Sequence, residues 1–151
     1  EAIVARAQGN YAKVGDIDDD TLILASMIEK EARSSEHMRL VSSVFHNRLR
    51  TGGDYKYLNC DPTRENVNNY ITGNPLVADQ SKYAALYNTC NKRVGLPAGP
   101  ICCPGLKAID AARNPADTNY YYFFYGKDNT NHYSETLEEH NRQMAEIGVG
   151  G

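Results

Sequence analysis

Two glutamates, Glu29 and Glu31, interrupt an otherwise apolar stretch, Leu22-Ile23-Leu24-Ala25-Ser26-Met27-Ile28-Glu29-Lys30-Glu31-Ala32. At the helical rotation of about 100° per residue, Glu31 comes to lie over Leu24, Met27 and Ile28, whereas Glu29 lies over Leu22, Ala25 and Ser26. Glu31 therefore has the more apolar surroundings. Burial among apolar side chains disfavours the ionised carboxylate, which lets a glutamic acid keep its proton near neutral pH and deliver it to a leaving oxygen. Glu31 is thus a candidate general acid. The alternative is a solvated helix face completed by Lys30 and Arg33, since charge on a helix is usually at the surface.

The flanking sequence predicts the elements that would hold this acid. Residues 4–14 read as the end of a helix closed by Gly15. Asp18-Asp19-Asp20-Thr21 then supplies N-cap chemistry for a main helix over roughly 19–34. Ser34-Ser35-Glu36 starts a second helix, whose Leu40, Val41, Val44, Phe45 and Leu49 keep the 3.6-residue period until Gly52-Gly53. These two helices are expected to pack as a pair. From 54 to 103 the periodicity disappears and Gly, Pro, Asn and Tyr dominate, which predicts long ordered loops punctuated at Asp61-Pro62, Gly73-Asn74-Pro75, Gly95-Leu96-Pro97 and Gly99-Pro100. Tyr55, Tyr57, Tyr70, Tyr83 and Tyr87 fall there and suit either a sugar-lined groove or loop packing. A short helix over 104–113 ends at Asn114-Pro115. Tyr120–Tyr125 is a strand that Gly126-Lys127-Asp128-Asn129 turns back toward His132-Tyr133-Ser134, making a β-hairpin. A last helix covers about 135–147.

The 151 residues fit one domain, and 16 Lys plus Arg against 19 Asp plus Glu leave a net charge of −3 with no basic footprint for nucleic acid. No stretch reaches the roughly 18 apolar residues of a membrane span, so the chain as given reads as soluble. It opens in helix-like sequence without an initiator Met, the pattern of a part excised from a longer protein. Cys60, Cys90, Cys102 and Cys103 show no C-x-x-C or His/Cys cluster, so no metal is expected. A bridge from Cys60 or Cys90 to the Cys102-Cys103 pair and free buried thiols both remain open.

In order along the chain, Leu24–Glu31, Val44-Phe45-His46-Asn47-Arg48-Leu49, Cys60-Asp61-Pro62-Thr63 and Tyr87-Asn88-Thr89 are followed by Gly95–Ile101, Pro104-Gly105, Ala111-Ala112-Arg113-Asn114-Pro115, Tyr122-Phe123 and Glu139-His140-Asn141. This series resembles the endolytic peptidoglycan transglycosylases called MltG or YceG-like, from about 20 to 147. The resemblance implies an α+β, lysozyme-like catalytic domain over 19–151, with 1–18 the end of an upstream linker or helix. It also implies a bacterial enzyme that cuts between N-acetylmuramic acid and N-acetylglucosamine, leaves a 1,6-anhydromuramic end and needs no cofactor. Such proteins are usually membrane-anchored on the extracytoplasmic face, carry an upstream LysM-like portion and are linked to the cell-wall synthesis machinery. Glu31, followed by the small Ala32, matches the family's catalytic glutamate better than Glu29 does. Asp61 would stabilise the positive charge of the transition state or cap its turn. Asn47, Thr63, Tyr87 and Asn88 offer groups for sugar recognition or for holding the loops. His132, Ser134, His140 and Asn141 would close over the Glu31 end of a cleft or form a structural network.

The chain departs from the family pattern at Asn59-Cys60, Cys90, Ala98 and Cys102-Cys103, which affects the shape of the groove rather than Glu31. The competing readings are a hydrolytic muramidase on the same fold and a catalytically silent peptidoglycan-binding module. A third, a pyridoxal-phosphate lyase, would need a lysine in a phosphate-cradling context, and none is seen.

Overall fold

The computed structural model describes residues 12–150. Its first described residues, 12–14, are helical, and Gly15 follows at φ +71°; the expected helix before them lies outside the described residues. The elements are α1 (Asp19–Glu31), α2 (Ser35–Thr51), a 3₁₀ turn (Gly53–Tyr55), α3 (Asp61–Tyr70), α4 (Gln80–Tyr87), α5 (Leu106–Arg113), β1 (Tyr122–Tyr125), β2 (Asn131–Ser134) and α6 (Leu137–Ile147). Helices with one two-stranded antiparallel sheet make an α+β fold.

Helix α1 is the axis of the core. Asp18 caps it by accepting from the Thr21 N–H at 2.8 Å and the Thr21 hydroxyl at 2.9 Å, and Asp19 and Asp20 complement the positive helix end. Every residue from Ile23 to Ile28 is buried, so α1 is enclosed on all sides rather than along one stripe. The small side chains Ala108, Ala111 and Ala112 of α5 let that helix approach α1 closely, and α2 packs across both. Ala32 is extended and ends α1 at Glu31, three residues short of the predicted boundary, so Glu31 is the last helical residue. Ser34 then caps α2, which runs to Gly52 at φ +62°, a conformation only glycine adopts readily.

The region expected to be irregular contains α3 and α4. Asp61-Pro62 reads as a turn signal, but it forms the first turn of α3, where proline's fixed φ and missing N–H cost nothing. Thr63 and Val67 are the buried residues of α3, and α4 buries none, so neither carries an apolar period that marks a helix. Asp61 is accordingly a first-turn helix residue rather than a turn cap.

The hairpin pairs Tyr122 with Ser134, Phe123 with Tyr133, Phe124 with His132 and Tyr125 with Asn131. Its approach is fixed from α2. The Asn47 side-chain amide donates to the carbonyls of Thr118 and Tyr120, both at 2.9 Å, and Arg48 donates to those of Tyr121 and Tyr57. Phe45 meets Phe123 edge to face, tying the hairpin to the core. Asn47→Ala would strand two part-buried carbonyls, and the expected loss is about 1–3 kcal/mol in denaturant unfolding. An unchanged midpoint would show that the hairpin approach is held by other contacts.

Candidate active site

The structure separates the two glutamates. Glu29 Oε2 accepts from the backbone N–H of Gly105 at 3.1 Å, holding the Pro104-Gly105 entry to α5. Glu31, at the C-terminal end of α1, turns toward the start of α3 and receives a hydrogen bond from the Cys60 thiol. Burial, opposed by that bond and reinforced by Asp61 and then Glu65, pushes its carboxyl from 4.5 up to about 7. The negative end of the helix dipole acts in the same sense. Glu31 is therefore a carboxyl group that holds and releases a proton around neutral pH.

The loop delivering Cys60 turns through Asn59 at φ +54°, a left-handed conformation that asparagine tolerates. Beyond it Asp61 is exposed and paired with Arg64 at 2.9 Å, and Cys90 Sγ donates to its carboxylate at 3.6 Å. Asp61, Arg64 and Cys90 form one wall of a cleft of about 350 Å³, whose other walls are Tyr121–Phe124 of the hairpin and His140 and Met144 of α6. Glu31 does not itself line this cleft. It lies behind the Cys60-Asp61 corner, with Tyr133 of β2 the hairpin group that senses its charge.

The other predicted residues divide by place. Thr63 is fully buried and works inside the loops, donating to the Cys60 carbonyl at 2.6 Å and meeting the Thr89 hydroxyl at 2.9 Å. Asn88 ends α4 and accepts from the Cys90 N–H at 3.0 Å. Tyr87 lies over Gly99, where an added Cβ would come within 2.9 Å of its hydroxyl. Asn47 borders a separate pocket of about 240 Å³ with His46 and Arg50, its amide engaged as described above. His132 pairs with Asp128 at 2.8 Å and stacks on Phe124. Ser134 is fully buried, and its hydroxyl has no hydrogen-bond partner among the described residues. His140 stacks on Tyr122 and meets Phe124 edge-on in the cleft wall, and burial followed by Arg48 lowers its pKa. Asn141 is exposed on α6. The His140 attachment to the hairpin is thus aromatic stacking.

Two groups escaped sequence reasoning. Arg48 is buried, with its guanidinium 4.9 Å from the ring centroid of Tyr122 and 5.5 Å from that of Tyr55; its signal was its place between Asn47 and Leu49 on a helix otherwise read for apolar period. Cys60 was weighed for disulfides, and its adjacency to Asp61 was the available clue. Cys60, Cys90 and Cys102 are free thiols, so no bridge starts from Cys60 or Cys90; the Cys102 thiol donates to the Ser26 carbonyl at 3.2 Å.

Residues 3–146 match the YceG-like family. The chain belongs to that family. A crystal structure of a YceG-like protein from Listeria monocytogenes superposes with a TM-score of 0.68 at 31% identity, covering 93% of this chain and 45% of that one. Among curated relatives, an endolytic murein transglycosylase of Bacillus subtilis is 35% identical over 126 residues, 80% of this chain and 32% of that protein. One from Streptococcus pneumoniae is 30% identical over 139 residues, 85% of this chain and 23% of that protein. The chain thus spans about a quarter to a third of the length of these curated relatives and less than half of the Listeria protein's chain.

The protonation of Glu31 has a consequence for stability. Its proton is bound more tightly in the folded state than in the unfolded one, so this group's contribution to stability is fully present below pH 4.5 and is lost as pH rises through about 7. The expected contribution, discounted for partial exposure, is on the order of 1–3 kcal/mol. Glu31→Gln should be more stable than the parent at pH 8 and lose that part of the pH dependence in urea unfolding. Equal stability of the two proteins at pH 8 would contradict it.

Proposed function

We propose that this chain is the catalytic domain of an endolytic lytic transglycosylase, which cleaves the glycosidic bond between N-acetylmuramic acid and N-acetylglucosamine in peptidoglycan strands and leaves 1,6-anhydromuramic ends. The observation that carries the proposal is Glu31, a carboxyl group raised to about 7 behind the Cys60-Asp61 corner of an aromatic-walled cleft, in a chain whose relatives are named murein transglycosylases.

One such group suffices for the chemistry. Protonated Glu31 donates to the glycosidic oxygen as the C1–O bond of the muramic residue breaks and positive charge develops at C1. The resulting carboxylate takes the proton from the C6 hydroxyl of the same sugar, whose oxygen closes on C1. The acid returns to its starting state, and no water is consumed. A proton affinity near neutrality suits a group that must act first as acid and then as base. A retaining hydrolase would place a second carboxylate about 5 Å away as nucleophile. Asp61 is the carboxylate on that side, and its pairing with Arg64 supports a role in local electrostatics over nucleophilic attack. The flat faces of Tyr121 and Tyr122 suit the apolar faces of sugar rings.

This reading places the site of action at the extracytoplasmic face of the membrane, in a longer, anchored protein that works beside the enzymes of wall synthesis. Among the described residues no helix is long and apolar enough to cross a membrane. It also treats the domain as lysozyme-like, with the acid at a helix end.

The test is mass spectrometry of uncrosslinked glycan strands incubated with the parent and with Glu31→Gln. The expected products are anhydromuramic ends, lighter by one water than hydrolytic ends, with the variant slower by about 10²–10⁴-fold. Products carrying that water would indicate a muramidase. Full activity in the variant would remove Glu31 from the chemistry, and binding without cleavage by either protein would indicate a binding module.

A further inference from the structure

Arg48 is a buried cation with no anionic partner among the described residues. It sits in the last turn of α2, is 4% exposed and lines the cleft. The ion pairs among the described residues are Arg64–Asp61, His132–Asp128 and Arg142–Glu146, and none includes it. Its guanidinium is held by partial charges instead. Nε donates to the Tyr121 carbonyl and Nη1 to the Tyr57 carbonyl at 2.8 Å. The Asn59 side-chain amide, turned so that its nitrogen donates to the Cys90 carbonyl at 3.2 Å, offers its oxygen to Nη1 at 3.3 Å. The rings of Tyr122 and Tyr55 cover the guanidinium, with centroids 4.9 and 5.5 Å away, and Tyr55 stacks in turn on Tyr121 at 4.4 Å. Nη2 is left without an acceptor among the described residues.

We propose that Arg48 selects the muramic sugar of the strand, its Nη2 edge binding a carboxylate carried at O3 of that sugar. The inference rests on the cleft being the binding groove of the proposed transglycosylase. A guanidinium taken out of water without an anion is poorly compensated, and a ligand that brings one relieves the deficit. Because carbonyls and rings clamp Arg48 in place, it cannot swing out to solvent, and its free edge is set before the ligand arrives. The other charges of the cleft do not compete: Arg64 and Asp61 are paired at 2.9 Å, and burial, followed by Arg48, lowers the pKa of His140 and keeps it neutral at pH 7. The two sugars of a glycan strand differ at O3, where muramic acid carries a lactyl ether and N-acetylglucosamine a hydroxyl. On a strand stripped of peptide the lactyl group ends in a carboxylate; on a strand that bears peptides it is an amide, and the carboxylates lie in the peptide. Either one gives Arg48 a charge-assisted hydrogen bond, whereas the glucosamine hydroxyl leaves the cation unneutralised. Asp61, whose corner stands in front of Glu31, lines the same cleft, so a sugar anchored at Arg48 occupies the space beside that corner.

Four small sugars test this on the parent chain, with the Arg48 guanidinium N–H signals followed by ¹⁵N NMR and assigned through bonds from the Arg48 backbone. They are N-acetylmuramic acid, its lactyl methyl amide, an N-acetylmuramoyl dipeptide with free peptide carboxylates, and N-acetylglucosamine. At least one of the two acids should bind about ten- to a hundredfold more tightly than the methyl amide and N-acetylglucosamine, and should move the Arg48 signals. Preference for N-acetylmuramic acid would identify the lactyl carboxylate as the ligand, and preference for the dipeptide alone would identify the peptide. Arg48→Gln should erase the preference. Equal or undetectable affinity for all four sugars, or a preference that leaves the Arg48 signals unmoved, would overturn the proposal, and both are read on the parent even if Arg48→Gln does not fold. These sugars contain no glycosidic bond between rings, so the result is independent of cleavage. A parent that prefers an acid yet leaves glycan strands uncut would defeat the transglycosylase reading alone, and one that releases anhydromuramic ends without the preference would defeat this inference alone.

Discussion

The constraint on which the rest of this structure depends is a carboxyl group at the end of a helix whose middle is buried on every side. Helix α1 is buried from Ile23 to Ile28, so its C-terminal residue emerges from the core instead of along the surface. A charge there is disfavoured by lost hydration and by the helix dipole, and no cation among the described residues pairs with it. Holding the proton is the inexpensive solution. Much of the surrounding architecture follows: α5 and α2 enclose the helix, Ala32 turns the chain away immediately after Glu31, and the loop before α3 brings a neutral donor to the carboxyl group.

Glu29 shows how much position matters. Two residues earlier on the same helix, it faces the Pro104-Gly105 loop and spends its carboxylate on a backbone N–H. The pair therefore divides into a side chain that fastens α5 and a largely buried carboxyl group behind the cleft corner. Asp61 makes a third environment, exposed and paired with Arg64, and its remaining influence on Glu31 is to oppose ionisation. The hairpin contributes aromatic surface, carried to the cleft by Asn47, Arg48 and Phe45 of α2. The carboxyl group stands on one helix and the aromatic wall hangs from another, so the two have independent supports.

What the sequence revealed follows from where physical signals are dense. The caps at Asp18 and Ser34, the stop at Gly52, the aromatic strand and the opposed surroundings of Glu29 and Glu31 were legible because period, capping and propensity agree there. Helices α3 and α4 were missed because they bury few residues or none and are held by caps and loop contacts instead of an apolar stripe. Cys60 and Glu31 are far apart in sequence yet influence each other in the fold, and no local pattern encodes such a meeting. Asn47, Thr63 and Asn88 carry the same ambiguity, since an amide or hydroxyl that binds sugar and one that binds a carbonyl look alike until the fold is known.

The central claim is that Glu31 keeps its proton to neutral pH, and it can be read directly from the side-chain carboxyl ¹³C resonance of Glu31 followed by NMR across pH, with the signal assigned by its loss in Glu31→Gln. The account predicts a titration midpoint at about 7. A midpoint at the ordinary glutamate value, near 4.5, would mean that the end of α1 is solvated and that Glu31 is a surface carboxylate without the means to act as an acid.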